Sequence, residues 1–296
     1  VLESADLAIC HMEIPIGVPN GPFGDVGRSP YGGNLLLAPY EIAAGLGGAG
    51  FDRCSTASNH AYDTGTAGIA STIEALTAQQ ISVAGTARTP EEAADTLFDV
   101  NGVAVAHLAF TTYSNTARPA SSWRLDYVDS PWTVVSRVEA ARQSGAEVVL
   151  VSLHVSKELT SGPVAADRAF VRTLTAAADV DAVFLHGPHV VHPFEWVNDT
   201  PVWWSVGNFF TQMGPGSSGK YNTGWVTDGL LAAVDFLETS SGAFSARPSS
   251  IATCNDFVDR TVRSATASLA ASPSTRVHDE LSACLARTRT VVPDAR

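Results

Sequence analysis

The sequence predicts an α/β fold in which buried, largely parallel strands lie in layers against helices. Three observations carry this. Short runs of Val, Ile, Leu and Ala alternate with helix-length segments through the first two hundred of the 296 residues. These runs are continuously apolar rather than alternating, as strands buried on both faces require. The composition suits a packed globule, with 45% hydrophobic and only 16% charged residues, enough for a large core.

The elements follow in order. ADLAICHMEI (5–14) reads as a buried strand with a polar end, and APYEIAAGLGGAG (38–50) as a short helix closed by glycines. FDRCSTAS (51–58) is a second strand. In residues 66–80, Ile69, Ile73, Leu76 and Thr77 recur at helical spacing. Strands ISVAG and GVAVAHLAFT come next, then helix PWTVVSRVEAARQSGA, strand EVVLVSLH, helix VAADRAFVRTLTAAA and strand DAVFLHG. After residue 194 the pattern turns strand-rich, with FEWV, PVWWSVGNFF and GLLAAVDFLE. Residues 1–254 are read as one domain. Residues 255–296 are read as a helical C-terminal extension, with a turn at SPSTR (272–276).

A formal net charge of −12, without a basic run, repels phosphate backbones and anionic lipid, so neither nucleic acid nor a membrane surface is an expected partner. No apolar stretch reaches the ~18–20 residues that span a bilayer. The chain opens on strand-like sequence, not on a signal peptide. Of the four cysteines, Cys254 and Cys284 are the better disulfide candidates. Cys10 and Cys54 read as small core residues that only adjacent strands would bring together.

Four strand ends carry residues suited to acid–base or metal chemistry, and in open α/β sheets ligands bind beyond such ends. These are His11 and Glu13; Asn59, His60 and Asp63; His154, Lys157 and Glu158; and His186 with His189. With neighbouring His192, they include six of the eight histidines, and convergent polar groups of this kind build sites. The plain readings stand beside the chemical ones. Asp63 suits the cap of the following helix, Asn59 a turn, Lys157 solvent, and Trp203 and Trp204 the core. The glycine-rich stretch 17–34 reads as a loop walling the site.

These segments carry a resemblance. ADLAICHMEIPI (5–16) is similar to a pattern with Asn-Leu-Glu where this chain has His11, Met12 and Glu13. GFDRCSTASNHAYDTGTAGIASTIEAL (50–76), LHVSKEL (153–159), LHGPHVVHPFE (185–195) and TPVWWSVGNFF (200–210) follow in the same order. The set resembles the CapA-like family associated with poly-γ-glutamate capsule, whose fold is that of the calcineurin-like metallophosphoesterases. The resemblance implies a layered α/β/β/α sandwich, lacking here its first strand. It implies a divalent transition-metal site (Mn, Zn or Fe, with two ions in the family), with Glu13, Asn59, His154 and His189 on ligand positions and His186 beside them. Carboxylate, carboxamide and imidazole suit such ions. It implies His60 as general acid. Read from the residues themselves, Asp63 is one turn on and suited to orient His60, His11 is a further acid–base group, and Lys157, Glu158 and His192 lie on the substrate side.

The chain also departs from the pattern. The family's Gly-Asp strand precedes the first residue here, GDVGR (24–28) imitates it at the wrong place, and Gly187 stands where a His-x-His pair needs histidine. The leading expectation is therefore a metal-assisted hydrolase or transferase acting on an acidic cell-surface polymer, outside the cytoplasm. The alternatives are a metal-independent acid–base enzyme acting on a peptide or small molecule, such as an epimerase, and a binding protein. A homo-oligomer is compatible with each.

Overall fold

The computed structural model describes residues 2–240, 242–271 and 273–296. The architecture is α/β, in two compact units. One runs to Ser156 and includes Ala176–Val180; the other comprises Lys157–Thr175 and Asp181–Arg296. The first residue of the SPSTR turn, Ser272, lies outside the described residues.

The first unit contains β1 (Ile9–His11), β2 (Gly24–Arg28), β3 (Asn34–Leu37), α1 (Ile42–Ala49), β4 (Arg53–Ser55), α2 (Gly65–Thr77), β5 (Ser82–Ala84), α3 (Pro90–Ala94), β6 (Leu97–Val100), β7 (Val103–Thr111), α4 (Pro131–Gln143) and β8 (Val148–His154). β1, β4 and β5 form a parallel sheet in that order, joined by crossovers through α1 and α2. Gly50 closes α1 in the left-handed conformation, with its amide on Gly47 and Leu46 carbonyls, the usual glycine stop. On α2 the buried stripe is Gly68, Ile69, Thr72, Ile73, Ala75 and Leu76. Thr77, expected on that stripe, is exposed. Thr72 is buried in its place because its hydroxyl accepts from the Ile16 amide at 2.8 Å and donates to the Gly68 carbonyl at 2.7 Å.

β7 and β8 are parallel, in register from Val105↔Val148 to Thr111↔His154, and α4 crosses between them. β6 adds antiparallel to β7 across Asn101-Gly102, both at positive φ, the turn that the twist of a two-residue hairpin demands. The stretch 17–34, expected as a loop, contains β2, which pairs with β3 in a hairpin bulged between Asp25 and Gly27. β1 and β4 align Cys10 with Cys54, their Cα atoms 4.4 Å apart, and the two are bridged. In-register neighbours of this kind override the reading of them as separate core residues.

The second unit contains α5 (Ala165–Ala177, all but its last two residues), β9 (Ala182–His186), β10 (Phe194–Val197), β11 (Thr200–Trp203), β12 (Asp228–Glu238), β13 (Phe244–Asp256), β14 (Thr261–Ser264), α6 (Ala265–Ala270) and α7 (Thr275–Val291). β11 runs parallel to β9 and antiparallel to β10, and β12, β13 and β14 form an antiparallel sheet. Residues 255–296 are mostly helical, but they open on the end of β13 and on β14. Arg263 and Arg276 bind Asp256 there. Val277, Leu281, Cys284 and Leu285 of α7 pack with Leu230, Ala252 and Cys254 in one core, and Cys254–Cys284 is bridged. Trp203 and Trp204 are buried, with the Trp203 indole N–H donating to Ser250. Among the described residues, no helix is long and apolar enough to cross a membrane.

Candidate functional site

The residues singled out in the sequence divide between the units. His11, Glu13, Asn59, His60, Asp63 and His154 belong to the first; Lys157, Glu158, His186, His189 and His192 belong to the second.

In the first unit the centre is the turn after β4. Ser58, fully buried, donates to the Glu13 carbonyl at 2.5 Å and accepts from the His60 amide at 3.1 Å. This fixes the backbone so that the His60 side chain meets Asp63, Nδ1 to Oδ2, at 2.5 Å. The same Asp63 oxygen accepts the Leu36 amide of β3 at 2.7 Å. An oxygen already taken by an N–H accepts from the imidazole as well, so Nδ1 carries the proton and Nε2 is the basic nitrogen of neutral His60. Asp63 does not cap α2, whose N-cap is Thr64. The His60 side chain is 14% exposed and that of Asp63 is sealed.

Asn115 closes the other side. Its amide Nδ2 lies 3.1 and 3.3 Å from the two His60 ring nitrogens, its Oδ1 accepts from Asn59 at 3.3 Å, and its backbone amide donates to the Asn59 carbonyl. Sequence reasoning missed Asn115, whose only cue is its place in the polar turn YSNT.

A second pair stands at the ends of β1 and β8. His11 Nε2 meets His154 Nδ1 at 3.0 Å, with the rings stacked 5.1 Å apart, and His11 Nδ1 meets the Ser55 hydroxyl at 3.1 Å. One nitrogen of the facing pair donates and the other accepts, so Ser55, His11 and His154 form a hydrogen-bonded row able to relay a proton.

The metal expectation is tested by these donors. Asn59 Oδ1 is buried with no hydrogen-bond partner, the condition of an oxygen that a cation would satisfy. However, His154 Nδ1 is turned to His11, and among the described residues no three His, Cys, Asp or Glu side chains converge as a cation cage would. A transition ion needs further donors beside that carboxamide oxygen.

The second unit holds its own cluster. Gly187 and His189 both adopt positive φ, 109° and 63°, and at the φ of Gly187 a histidine would be strained. His189 Nδ1 meets Asn208 Oδ1 at 3.1 Å, and Tyr221 stands edge-on to its ring at 6.0 Å. Glu158 accepts from Lys220 at 2.6 Å and from the Tyr221 hydroxyl. Burial pushes Glu158 up, but Lys220, Tyr221 and His189 outweigh it and hold the carboxyl below its ordinary range. Burial, with Glu158 adding to it, pushes Tyr221 up to about 12. Lys157 is exposed. His192 is buried with Nε2 on the Thr160 carbonyl at 2.7 Å. Burial lowers His186 to about 3, which keeps it neutral at ordinary pH. Asn208, Lys220 and Tyr221 were not anticipated.

The profile of the family described as bacterial capsule synthesis protein PGA_cap matches residues 1–213. The PGA biosynthesis protein CapA of Bacillus subtilis (strain 168) is 25% identical over 202 residues, 67% of this chain and 50% of that protein. The capsule biosynthesis protein CapA of Bacillus anthracis is 26% identical over 187 residues, 60% of this chain and 44% of that protein. This chain thus spans about half the length of the curated relatives it matches. The crystal structure of the calcineurin-like phosphoesterase YfkN from Bacillus subtilis aligns over 84% of this chain and 73% of that one, with TM-score 0.43 and 14% identity.

Proposed function

This chain belongs to the bacterial capsule synthesis protein family, and from that premise we propose that it acts on an acidic cell-surface polymer of the poly-γ-glutamate type. In this reading it is a hydrolase or transferase whose acid–base group is His60. The observation that carries the reading is the 2.5 Å contact between His60 and the sealed carboxylate of Asp63. An imidazole so oriented presents one nitrogen to the substrate and is stabilised when it takes a proton, as general acid–base catalysis requires. A cell-envelope location accords with the two disulfides, which persist in oxidising compartments.

The test is His60→Ala with poly-γ-glutamate, followed by size-exclusion chromatography of the polymer. Turnover is expected to fall by roughly 10²–10⁴, the usual contribution of a positioned acid–base group. An unchanged rate removes the reading. A metal-assisted site is the second reading, favoured by the orphaned Asn59 Oδ1. Exhaustive chelation separates the two: turnover that persists supports the acid–base reading alone, and a loss restored by Mn²⁺ or Zn²⁺ supports the metal.

A further inference from the structure

We propose that Asn115 is a positioning residue that locks the ring of His60, and that the β2–β3 hairpin holds Asn115 in place. This rests on the reading of His60 as the acid–base group and extends it to residues outside that pair.

Two distances carry the argument. An in-plane hydrogen bond to an imidazole reaches one ring nitrogen, because the two lone-pair directions diverge. Asn115 Nδ2 is nearly equidistant from both, at 3.1 and 3.3 Å. The amide therefore lies over the ring face, where its N–H groups meet the π cloud. Such a contact leaves the proton on Nδ1, where Asp63 Oδ2 accepts it, and blocks rotation of the ring away from that carboxylate. Nε2 is then held in one direction as the nitrogen that exchanges a proton with substrate.

Asn115 is itself fixed on three sides. Its Oδ1 accepts from Asn59, its amide donates to the Asn59 carbonyl at 2.8 Å, and its own carbonyl accepts the Ser29 hydroxyl from the end of the hairpin. The residue is 7% exposed, so the carboxamide has little room to turn. The hairpin thus touches the pair once, through the Leu36 amide on Asp63, and touches Asn115 through Ser29. A proton-transfer geometry that must hold within fractions of an ångström gains from supports of this kind.

The experiment uses the full chain with ¹⁵N-labelled histidine, in wild type, Asn115→Ala, Asn115→Asp and Ser29→Ala, with His60→Ala assigning the His60 signal. Asn115→Asp keeps the size of the side chain and the acceptor for Asn59, and so guards against a folding defect in the alanine variant. The expected result is a His60 Nδ1–H cross-peak in wild type that broadens by solvent exchange in both Asn115 variants. With it, kcat on poly-γ-glutamate falls roughly tenfold while KM stays within twofold. Ser29→Ala gives a smaller loss of the same kind. A sharp Nδ1–H signal and wild-type kcat in both Asn115 variants overturn the proposal. If His60→Ala leaves turnover intact, the functional reading fails by itself; the cross-peak then decides, its loss upholding the lock and its persistence overturning it.

Discussion

Replacing Asp63 by asparagine isolates the charge in the His60–Asp63 pair from its geometry. Asp63 Oδ2 accepts two N–H groups, His60 Nδ1–H at 2.5 Å and the Leu36 amide at 2.7 Å. The other oxygen, Oδ1, is buried with no partner. An asparagine can set its oxygen only where Oδ2 was, since the reverse placement would aim its NH₂ at two donors. Its NH₂ then occupies the place of Oδ1, where no donor is lost. Both hydrogen bonds survive and only the charge goes. A hydrogen bond to a charged group contributes ~1.5–3 kcal/mol and a neutral one ~0.5–1.5. The imidazolium formed during turnover should therefore lose about 1.5 kcal/mol of support, a roughly tenfold fall in kcat. Asp63→Ala is different in kind. It strips the acceptor from the Leu36 amide, which costs the fold ~1–3 kcal/mol, and it frees the ring. The assay is single-substrate turnover of poly-γ-glutamate by both variants, with urea unfolding to separate folding from chemistry. Activity of Asp63→Asn within twofold of wild type, in a protein of unchanged stability, would refute the role given to the carboxylate.

Burial pushes Asp126 up to about 6 against the pull of Arg137. The folded state therefore binds a proton between pH 4 and 6 that the unfolded state has released, and stability rises as pH falls through that window, by about 3 kcal/mol at most. Urea titrations of Asp126→Asn should lack this rise; its persistence would show that Asp126 ionises normally. Removing the Cys254–Cys284 bridge as a double serine variant opens a loop of sequence separation 30. The chain-entropy estimate is a loss of ~3.6 kcal/mol, read by denaturant unfolding of the second unit, and a loss under about 1 kcal/mol would contradict it. The net charge of −12 repels a polyanion, so KM for poly-γ-glutamate should fall as salt rises from roughly 10 to roughly 150 mM and the screening length shrinks to ~8 Å. A KM that rises instead would reveal a basic binding track.

What the sequence shows of this protein depends on how local the signal is. β7 and β8 are legible because their residues are nearly all buried, so an unbroken apolar run needs no partner to be recognised. β13 is not, although it is among the longest strands. ARPSSIATCND carries a proline among small polar residues, and its pairings with β12 and β14 make it a strand. The β2–β3 hairpin hides for a related reason: Gly24, Gly27 and Gly32 at positive φ shape its bulge and turn, and glycine reads as loop.

The site divides along the same line. His60 and Asp63 are three residues apart, so one turn brings them together and their spacing announces it. His11 and His154 are 143 residues apart, and their contact needs the β1–β4 and β7–β8 registers to be right at once. Asn115 is harder still, since it lies in an irregular segment where no periodicity assigns a direction to a side chain. Each of its contacts is to a group that another element delivers: Asn59 from the turn after β4, His60 beside it, Ser29 from the hairpin. A residue of this kind acquires its role only when the fold closes around it. The metal question has the same form. The resemblance puts Asn59 and His154 on ligand positions, whereas the direction of His154 Nδ1, at the end of β8, is set by its contact with His11 at the end of β1. The residue types that suit a cation are thus legible locally, whereas the direction of their lone pairs is set by tertiary register.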